Sequence, residues 1–591
     1  MSHYRSNTAD LEFNLLAAHD VAGQLAACDL EPETVRQILN EFDRFVTEKW
    51  APSFVAADRH HLRVVKGEVH LAPELKESLV ALWEGGWEKI GSPIELGGTP
   101  VPPILFWGLQ ELMLGGNATG AFYASGPLFA NVIFLEGTDD QKQLARLMLD
   151  RHWAGTMMLT EPDAGSDVGA GTTKARLVEG DTYELEGTKR FITSGEHDGT
   201  ENIIHLVLAR VEGGPAGTKG LSLFIVPKFL VKPDGTLGER NGVVCTRLEE
   251  KLGLKGSATA EMSFGAERLC VGYLVGGVHD GIRQMFRVIQ HARMTIGSKS
   301  TATLSAGYQA ALAYARERVQ GPDLARATDK SSPRVEIINH PDVRRMLMLQ
   351  KAHAEGLRAL VSYTAWVQGQ ARFDNKPALW EKRAELLLPL VKGYSSEKAF
   401  ELLSLSMQVL GGAGYTVDFP IEQYLRDAKI DSIYEGTTGI QALDLFFRKI
   451  VRDQGATITA LGNEILEFVK AGEAGDALTI EREMLGGALA DLQAQLGVMV
   501  ENALAWAVAP ERIYRVGLHA NSLLESLAEV VIGWQLLRHA EIAEGRQGDF
   551  YDGKSASARF FVRHVAPKIA ARRLATEAED GQLMHLPDAA W

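Results

Sequence analysis

MMLTEPDAGSDVGAGTT, residues 157–173, marks the point where the periodicity of this chain changes. Before it, apolar residues recur at three- and four-residue spacing over 33–48, 72–87, 106–114 and 140–149, which predicts helices packed by one face. The loop IELGGTPVPP (94–103) interrupts them with paired Gly and Pro. After it, TYELEGTKRFIT (182–193), NIIHLVLARV (202–211) and GLSLFIVPKF (220–229) are β-branched or aromatic runs bounded by Gly, Pro, Asn and Asp. These predict strands. The stretch itself gathers hydroxyls, small residues and turn formers. Such backbone can bring N–H groups close to an anion or a heterocycle, or simply join a helix to a strand.

Working outward, the β zone ends near 275 and helical periodicity returns at Asp280. The stretch 282–318 holds no Pro, and further helices are expected over 342–366, 381–394 and 397–410. The last zone predicts helices over 480–506, 516–543 and 555–575, with GRQGDFYDGKS (545–555) as a turn-rich linker. The expected architecture is α+β and multidomain. It comprises an N-terminal extension (1–40), an N-terminal α domain (41–155), a middle antiparallel β domain (156–279), a C-terminal four-helix bundle (280–452) and an additional helical domain (453–591). No βαβ alternation is present, which excludes a doubly wound dinucleotide fold.

The chain has 591 residues, enough at roughly 150 per domain for about four domains. Its net charge of −15 excludes the positive field a nucleic-acid binder needs, so any anionic ligand must be held by a local basic or backbone-amide site. Three cysteines, Cys28, Cys245 and Cys270, cannot build a disulfide framework or a Cys-rich zinc site, and they fit a reducing compartment. The first twenty residues lack a basic n-region followed by an apolar h-region. The uncharged run 112–135 is membrane-sized, but its Gly, Pro127 and Asn content suits a buried helix pair. These features predict a soluble, cytoplasmic protein; peripheral membrane contact is not indicated.

No P-loop, zinc-protease, nucleophile-elbow or strand-led dinucleotide motif occurs, and the 16 His are scattered, so no metal site is expected. Two later segments stand out. In MQVLGGAGYTVDFPIEQYLRDAKI (407–430) the pair Gly411-Gly412 reads as a helix C-cap or as a place of close backbone approach, and Arg426, Asp427 and Lys429 as a solvated charge cluster. In DSIYEGTTGIQ (431–441) Glu435 precedes a helix beginning near Ile440. It is either a surface or capping acid, or a partly desolvated carboxylate whose raised pKa would make it a useful base.

Taken together, in order, the segments resemble the acyl-CoA dehydrogenase family over 41–452. The resemblance rests on GTDDQKQ (137–143), MMLTEPDAGSDV, GTKRFITS (187–194), LEEKLGLKGSATAEMSF (248–264), HARMTIG, YARERVQG, QVLGGAGY, YLRDAKI and YEGTTGIQ. The added C-terminal helices are similar to those of long members such as methylmercaptopropionyl-CoA and broad chain-length dehydrogenases. The resemblance implies a helical domain, a β domain and a four-helix bundle, with FAD as cofactor and acyl-CoA as substrate. It further implies a homodimer and electron-transfer flavoprotein as acceptor. By position, Met157, Leu159, Thr160, Phe191, Ile192 and Thr193 would line the flavin, and Ser166 would contact both flavin and CoA. Arg318, Gln320, Gln408, Gly411 and Gly412 would reach the FAD of a second copy, with Thr437 also cofactor-binding. Arg293, Tyr434 and Gly436 would face substrate, and Glu435 would be the catalytic base. Ala292, where some relatives place the base, cannot serve. Departures are Phe191 for the usual Trp, Gly321-Pro322 for Phe-Gly, Ala413 for Asn, and Gly439 for Gln or Asn. The same architecture also occurs in acyl-CoA oxidases, and a silent acyl-CoA- or flavin-binding protein is the remaining alternative.

Overall fold

The computed structural model describes residues 3–472 and 477–591. They form two compact units, one built chiefly from residues 37–102 and 112–292, the other from 5–36, 103–111 and 293–591.

The first unit holds an eight-stranded sheet. Its strands are β1 (Ala154–Met158), β2 (Lys174–Glu179), β3 (Thr182–Thr193), β4 (Ile203–Val211), β5 (Leu221–Pro227), β6 (Val243–Leu248), β7 (Thr259–Phe264) and β8 (Val271–Leu274). Neighbours run β6-β7-β3-β8-β5-β4-β1, and β2 pairs with both β3 and β4, so five strands close into a ring. The expected antiparallel domain is corrected in two ladders. β1 runs parallel to β4, from Ala154 opposite Ile203 to Met158 opposite Val207, and β2 also pairs parallel to β4. Parallel neighbours need a crossover rather than a hairpin. The loop after β1 and the β2–β3 hairpin supply it, and β4 is buried on both faces over seven residues, as strands covered on both sides are.

The helices Gly126–Glu136 and Asp139–Asp150 pack on β1, β4 and β5 through Phe129, Ile133, Met148, Leu206, Leu223 and Ile225. Gly155 permits this contact, because a Cβ there would sit 2.4 Å from the Phe129 ring. The second helix starts at a reciprocal cap: Thr138 Oγ1 accepts from Gln141 N, and Gln141 Oε1 accepts from Thr138 N. Gln141 Nε2 then donates to the Leu274 carbonyl at 2.8 Å, fastening the helix to the end of β8. The 112–135 run forms parts of two helices, Pro103–Tyr123 and Gly126–Glu136, whose side chains are mostly buried. Among the described residues no single helix is long and apolar enough to cross a membrane.

The second unit is helical, with Pro341–Phe373, Pro377–Leu410, Thr479–Leu504 and Ile513–Ala543 as its long members. The two helices expected over 381–410 are one, with Pro389 inside it. Ser395 and Ser396, which separated them in the sequence, are buried, and Ser396 Oγ donates to the Gly393 carbonyl. The expected linker 545–555 shrinks to a turn carried by Gly545 (φ +74°) and Gly548 (φ +118°). A helix begins at Asp549, where the acids Asp549 and Asp552 favour its N-terminal turn. The helix expected over 555–575 divides into Asp549–His564 and Lys568–Ala578, split before Pro567.

This unit is cross-linked by buried charge. Arg358, 1% exposed, donates through Nε to both Glu111 carboxylate oxygens at 2.9 and 3.1 Å and through Nη2 to Ser305 Oγ at 3.1 Å. Its Nη1 pairs with Asp10, which also pairs with Lys554. Burial pushes the Asp10 carboxyl up, but Lys554 and Arg358 overcome this and hold it well below the usual carboxylate range. Removing one member of such a network strands the others. Arg358→Met is expected to destabilise the protein by about 3–5 kcal/mol, read as a lowered urea midpoint; an unchanged midpoint would show the network to be dispensable.

Candidate active site

In the first unit, β1 leads directly into the T-E-P-D-A-G-S-D loop, and the end of β3 lies beside it. Arg190 N donates to the Thr160 carbonyl at 2.9 Å, and Lys189 Nζ to the Leu159 carbonyl at 2.9 Å. This brings together Met157, Leu159 and Thr160 with Phe191, Ile192 and Thr193. Met157, Leu159, Thr160 and Thr193 are half-buried, and Phe191 is 54% exposed. Ile192 is 3% exposed, its side chain in the core, so it offers a ligand only its main chain. Phe191 and Ser194 both adopt left-handed backbone, at φ +60° and +56°. Non-glycine residues held there are strained, and such strain gathers at functional sites. Arg190 stacks over the Phe191 ring at 4.7 Å and pairs with Glu249 at 2.8 Å, which joins two of the segments singled out in the sequence.

Glu161 organises the loop. Its carboxylate accepts from Thr172 N (2.6 Å), Thr172 Oγ1 (2.9 Å), Thr173 N (3.0 Å) and Lys189 Nζ (2.8 Å). Burial raises this carboxyl, but the Lys189 charge and the hydrogen bonds prevail and bring it to about 2. The loop is therefore tied at both ends to one ionised acid, with Ser166 exposed between them. Nothing in the sequence pattern marked Glu161 or Lys189 beyond their place in the motifs.

In the second unit, Glu435 sits in a turn of unusual backbone: Glu435 at φ +57° and Gly436 at φ +86° are consecutive left-handed residues. The capping reading is set aside, because the Thr437 side chain caps the following helix, accepting from Ile440 N. Gln441 Nε2 holds the Glu435 carbonyl at 3.0 Å, and Lys392 Nζ holds the Gly436 carbonyl at 2.6 Å. Tyr434 OH donates to Asp431 Oδ1 at 2.8 Å, and Asp431 is gripped by Lys299 at 2.7 Å. The half-buried Glu435 carboxyl is raised by desolvation, and Lys392 and Arg293 pull it back only as far as about 7. Arg293, 7% exposed, is not a spare cation, because its Nη1 pairs with Asp444 at 2.9 Å. The charge cluster at 426–429 is not solvated either: Asp427 is buried, Arg426 pairs with Glu422, and Lys429 lies over the Phe400 ring.

The remaining expected residues of this unit lie on its surface. Arg318 and Gln320 are exposed at the start of a short hairpin, Val319–Pro322 with Arg334–Glu336. Gln408, Gly411 and Gly412 are exposed at the end of the Pro377–Leu410 helix. Gly411 is its C-cap at φ +61°, and a Cβ on either glycine would meet nothing within 4 Å. Both readings of the glycine pair therefore coexist, a helix stop and an open stretch of backbone that a ligand can approach.

Family profiles match 69% of the chain in three blocks: the acyl-CoA dehydrogenase middle domain over 156–266, the acyl-CoA dehydrogenase C-terminal domain over 279–448, and an acetyl-CoA dehydrogenase C-terminal-like domain over 461–587. The broad-specificity linear acyl-CoA dehydrogenase FadE5 of Mycobacterium tuberculosis is 47% identical, with all of both chains covered. This chain belongs to the acyl-CoA dehydrogenase family. The 3-methylmercaptopropionyl-CoA dehydrogenase of Ruegeria pomeroyi is 37% identical over 92% of each chain. The fold is shared with an acyl-CoA dehydrogenase complexed with FAD from Bacillus anthracis (TM-score 0.74, 20% identity, 97% of this chain and 93% of that one). It is shared as well with Caenorhabditis elegans ACDH-11 in complex with C11-CoA (TM-score 0.77, 21% identity, the same coverage). The protein is an acyl-CoA dehydrogenase, an oxidoreductase acting on CH–CH groups with FAD as cofactor.

For this dehydrogenase the Glu161 anchor makes a direct prediction. Glu161→Ala should free residues 162–172, with amide hydrogen exchange there faster by on the order of 10- to 100-fold, as expected for losing charge-assisted hydrogen bonds. Unaltered protection of this loop would show that Glu161 does not anchor it.

Proposed function

We propose that Glu435 is the base that removes the α-proton of an acyl-CoA thioester, giving a trans-2-enoyl-CoA. One observation carries this reading: a half-buried carboxyl, in strained left-handed backbone, whose pKa is raised to about 7 by desolvation. A thioester α-proton is only weakly acidic, so the base must be poised near the working pH and act on a polarised carbonyl. The main-chain N–H of Glu435 is assigned as one donor to that carbonyl. FAD, when bound, supplies the two-electron acceptor for the β-hydride, so proton and hydride together account for the new double bond.

The residues present suit that cofactor. Leu159, Thr160, Phe191 and Thr193, with the main chain of Ile192 and with Met157, form the part of the first unit assigned to the flavin ring; an exposed aromatic beside a hydroxyl-bearing strand end supports this. Ser166 is assigned to flavin and CoA, Thr437 to cofactor, and Tyr434 and Gly436 to substrate. Arg293 is assigned to the CoA side, where Asp444 already offsets its charge. Linear acyl-CoA thioesters are the proposed substrates and electron-transfer flavoprotein the proposed acceptor. The three cysteines are free, which supports a cytoplasmic setting.

Arg318, Gln320, Gln408, Gly411 and Gly412 are assigned to the FAD of a second copy. Tyr415 and Val417, 82% and 70% exposed just beyond the glycine pair, support a homodimer that covers them. Sedimentation equilibrium is expected to give twice the chain mass, and a monomer that binds FAD fully and turns over would refute this assignment.

Glu435→Gln is expected to retain FAD and lower kcat by about 10²–10⁴-fold, the range for loss of a general base. Because the Glu435 pKa is raised, the carboxyl is protonated below about pH 7. In the parent enzyme kcat/KM should therefore fall as pH drops through about 7 and level off above it. Substantial residual turnover in Glu435→Gln would remove Glu435 from the mechanism. Hydrogen peroxide formed in step with product under air would assign oxygen as the acceptor instead of electron-transfer flavoprotein.

A further inference from the structure

Lys392 is 0% exposed and lies three residues beyond Pro389, inside the Pro377–Leu410 helix. An ammonium taken wholly out of water persists only where acceptors and counter-charges meet it. Its hydrogen bond runs to the Gly436 carbonyl at 2.6 Å, one peptide beyond the Glu435 carbonyl. The carboxylates whose fields reach it are Asp431, Glu435 and Glu397. Two of these are already engaged. Asp431 accepts from Lys299 at 2.7 Å, from Ser300 at 3.3 Å and from Tyr434 at 2.8 Å, and Glu397 accepts from Thr438 Oγ1 at 2.6 Å. Glu435 has no ion pair within 4 Å among the described residues. Arg293, the other cation acting on it, is committed to Asp444. The acids on the facing Ile513–Ala543 helix, Glu525 and Glu529, are paired with Arg572.

We propose that Lys392 is a positioning residue: its ammonium clamps the Glu435-Gly436 turn through the Gly436 carbonyl and lends its charge to the Glu435 carboxylate without touching substrate. The clamp matters because the backbone there is strained. A glutamate in left-handed backbone relaxes unless something holds it, and Lys392 from the Pro377–Leu410 helix and Gln441 from the Thr438–Leu443 helix hold the Gly436 and Glu435 carbonyls. The charge matters because desolvation alone would leave Glu435 protonated at neutral pH. Lys392 heads the opposing causes that keep its carboxyl at about 7. Burial lowers Lys392 itself to about 8, so it is still a cation where Glu435 begins to work. The inference rests on Glu435 being the base.

The test uses full-length, FAD-loaded enzyme and the pH dependence of kcat/KM between 5.5 and 9 for Lys392→Met, Lys392→Gln, Lys392→Arg and Glu435→Gln. Losing the nearby cation should move the acidic limb of Lys392→Met and Lys392→Gln upward by about one pH unit. FAD content should be unchanged, the loss at pH 7 should fall mainly on kcat, and rate should recover toward pH 9. Lys392→Gln, which keeps a donor for the Gly436 carbonyl, should retain more kcat than Lys392→Met, and Lys392→Arg should leave the limb near its original place. If Lys392→Met does not fold, the Gln and Arg variants decide the matter. A Lys392→Gln limb coincident with the parent enzyme overturns the inference while Glu435→Gln remains inactive. An active Glu435→Gln overturns the assignment of the base itself.

Discussion

A charge withdrawn from water must be met by an opposite charge or by several hydrogen bonds, and this constraint organises most of the functional architecture. Glu161 meets Lys189, Asp431 meets Lys299, Arg293 meets Asp444, and Arg358 meets Asp10 and Glu111. In each pair both partners are nearly or wholly out of solvent, so each fixes the position of the segments that carry it. Glu435 departs from the pattern. Its turn is held at both carbonyls, yet its carboxylate is left without a close counter-charge among the described residues. An acid so treated is a proton acceptor by construction: rigidly placed, partly desolvated, and balanced between its two states.

The division of labour between the two units follows the same logic. In the first unit, Phe191 and Ser194 are held in left-handed backbone at the end of one long strand whose neighbouring loop is tied down by Glu161. In the second, Glu435 is a strained residue of the same kind. Both segments are loops by local structure and rigid by tertiary fastening. Binding and catalytic residues are carried on loops that a scaffold has immobilised, and here the fastening is electrostatic rather than apolar.

Much of this was legible in the chain. Alternation and turn residues marked the β zone, and three- and four-residue spacing marked the helices; GTDDQKQ entered only through the resemblance, and the structure shows in it the Thr138–Gln141 cap. Glu435 was legible as a candidate, and family resemblance raised it above a capping acid. Other features left no local trace. The five residues Ala154–Met158, a short AGTMM run with a glycine and a threonine, carry no alternation that would announce a parallel partner almost fifty residues away. Ser395 and Ser396 suggest a helix boundary that packing overrides, both being buried inside one helix. Lys392, in LLLPLVKGY, reads as an ordinary helix lysine, since its acceptor lies 44 residues downstream. Arg358 is equally mute, its acids being 247 and 348 residues away. Periodicity reports which face of an element is apolar, and it does not report which distant group will neutralise a charge.

The contact between Asp10 and Lys554 spans 544 residues of sequence. During synthesis, the Thr8–Leu16 helix emerges early with an acid that its final neighbourhood must neutralise, and the lysine that does so emerges only after nearly all of the second unit has been made. Arg358 can meet that acid about two hundred residues sooner, so the full set of counter-charges around Asp10 assembles in two instalments. A chain shortened at its C-terminal end before Lys554 would lose one of the two cations that meet this acid near its beginning.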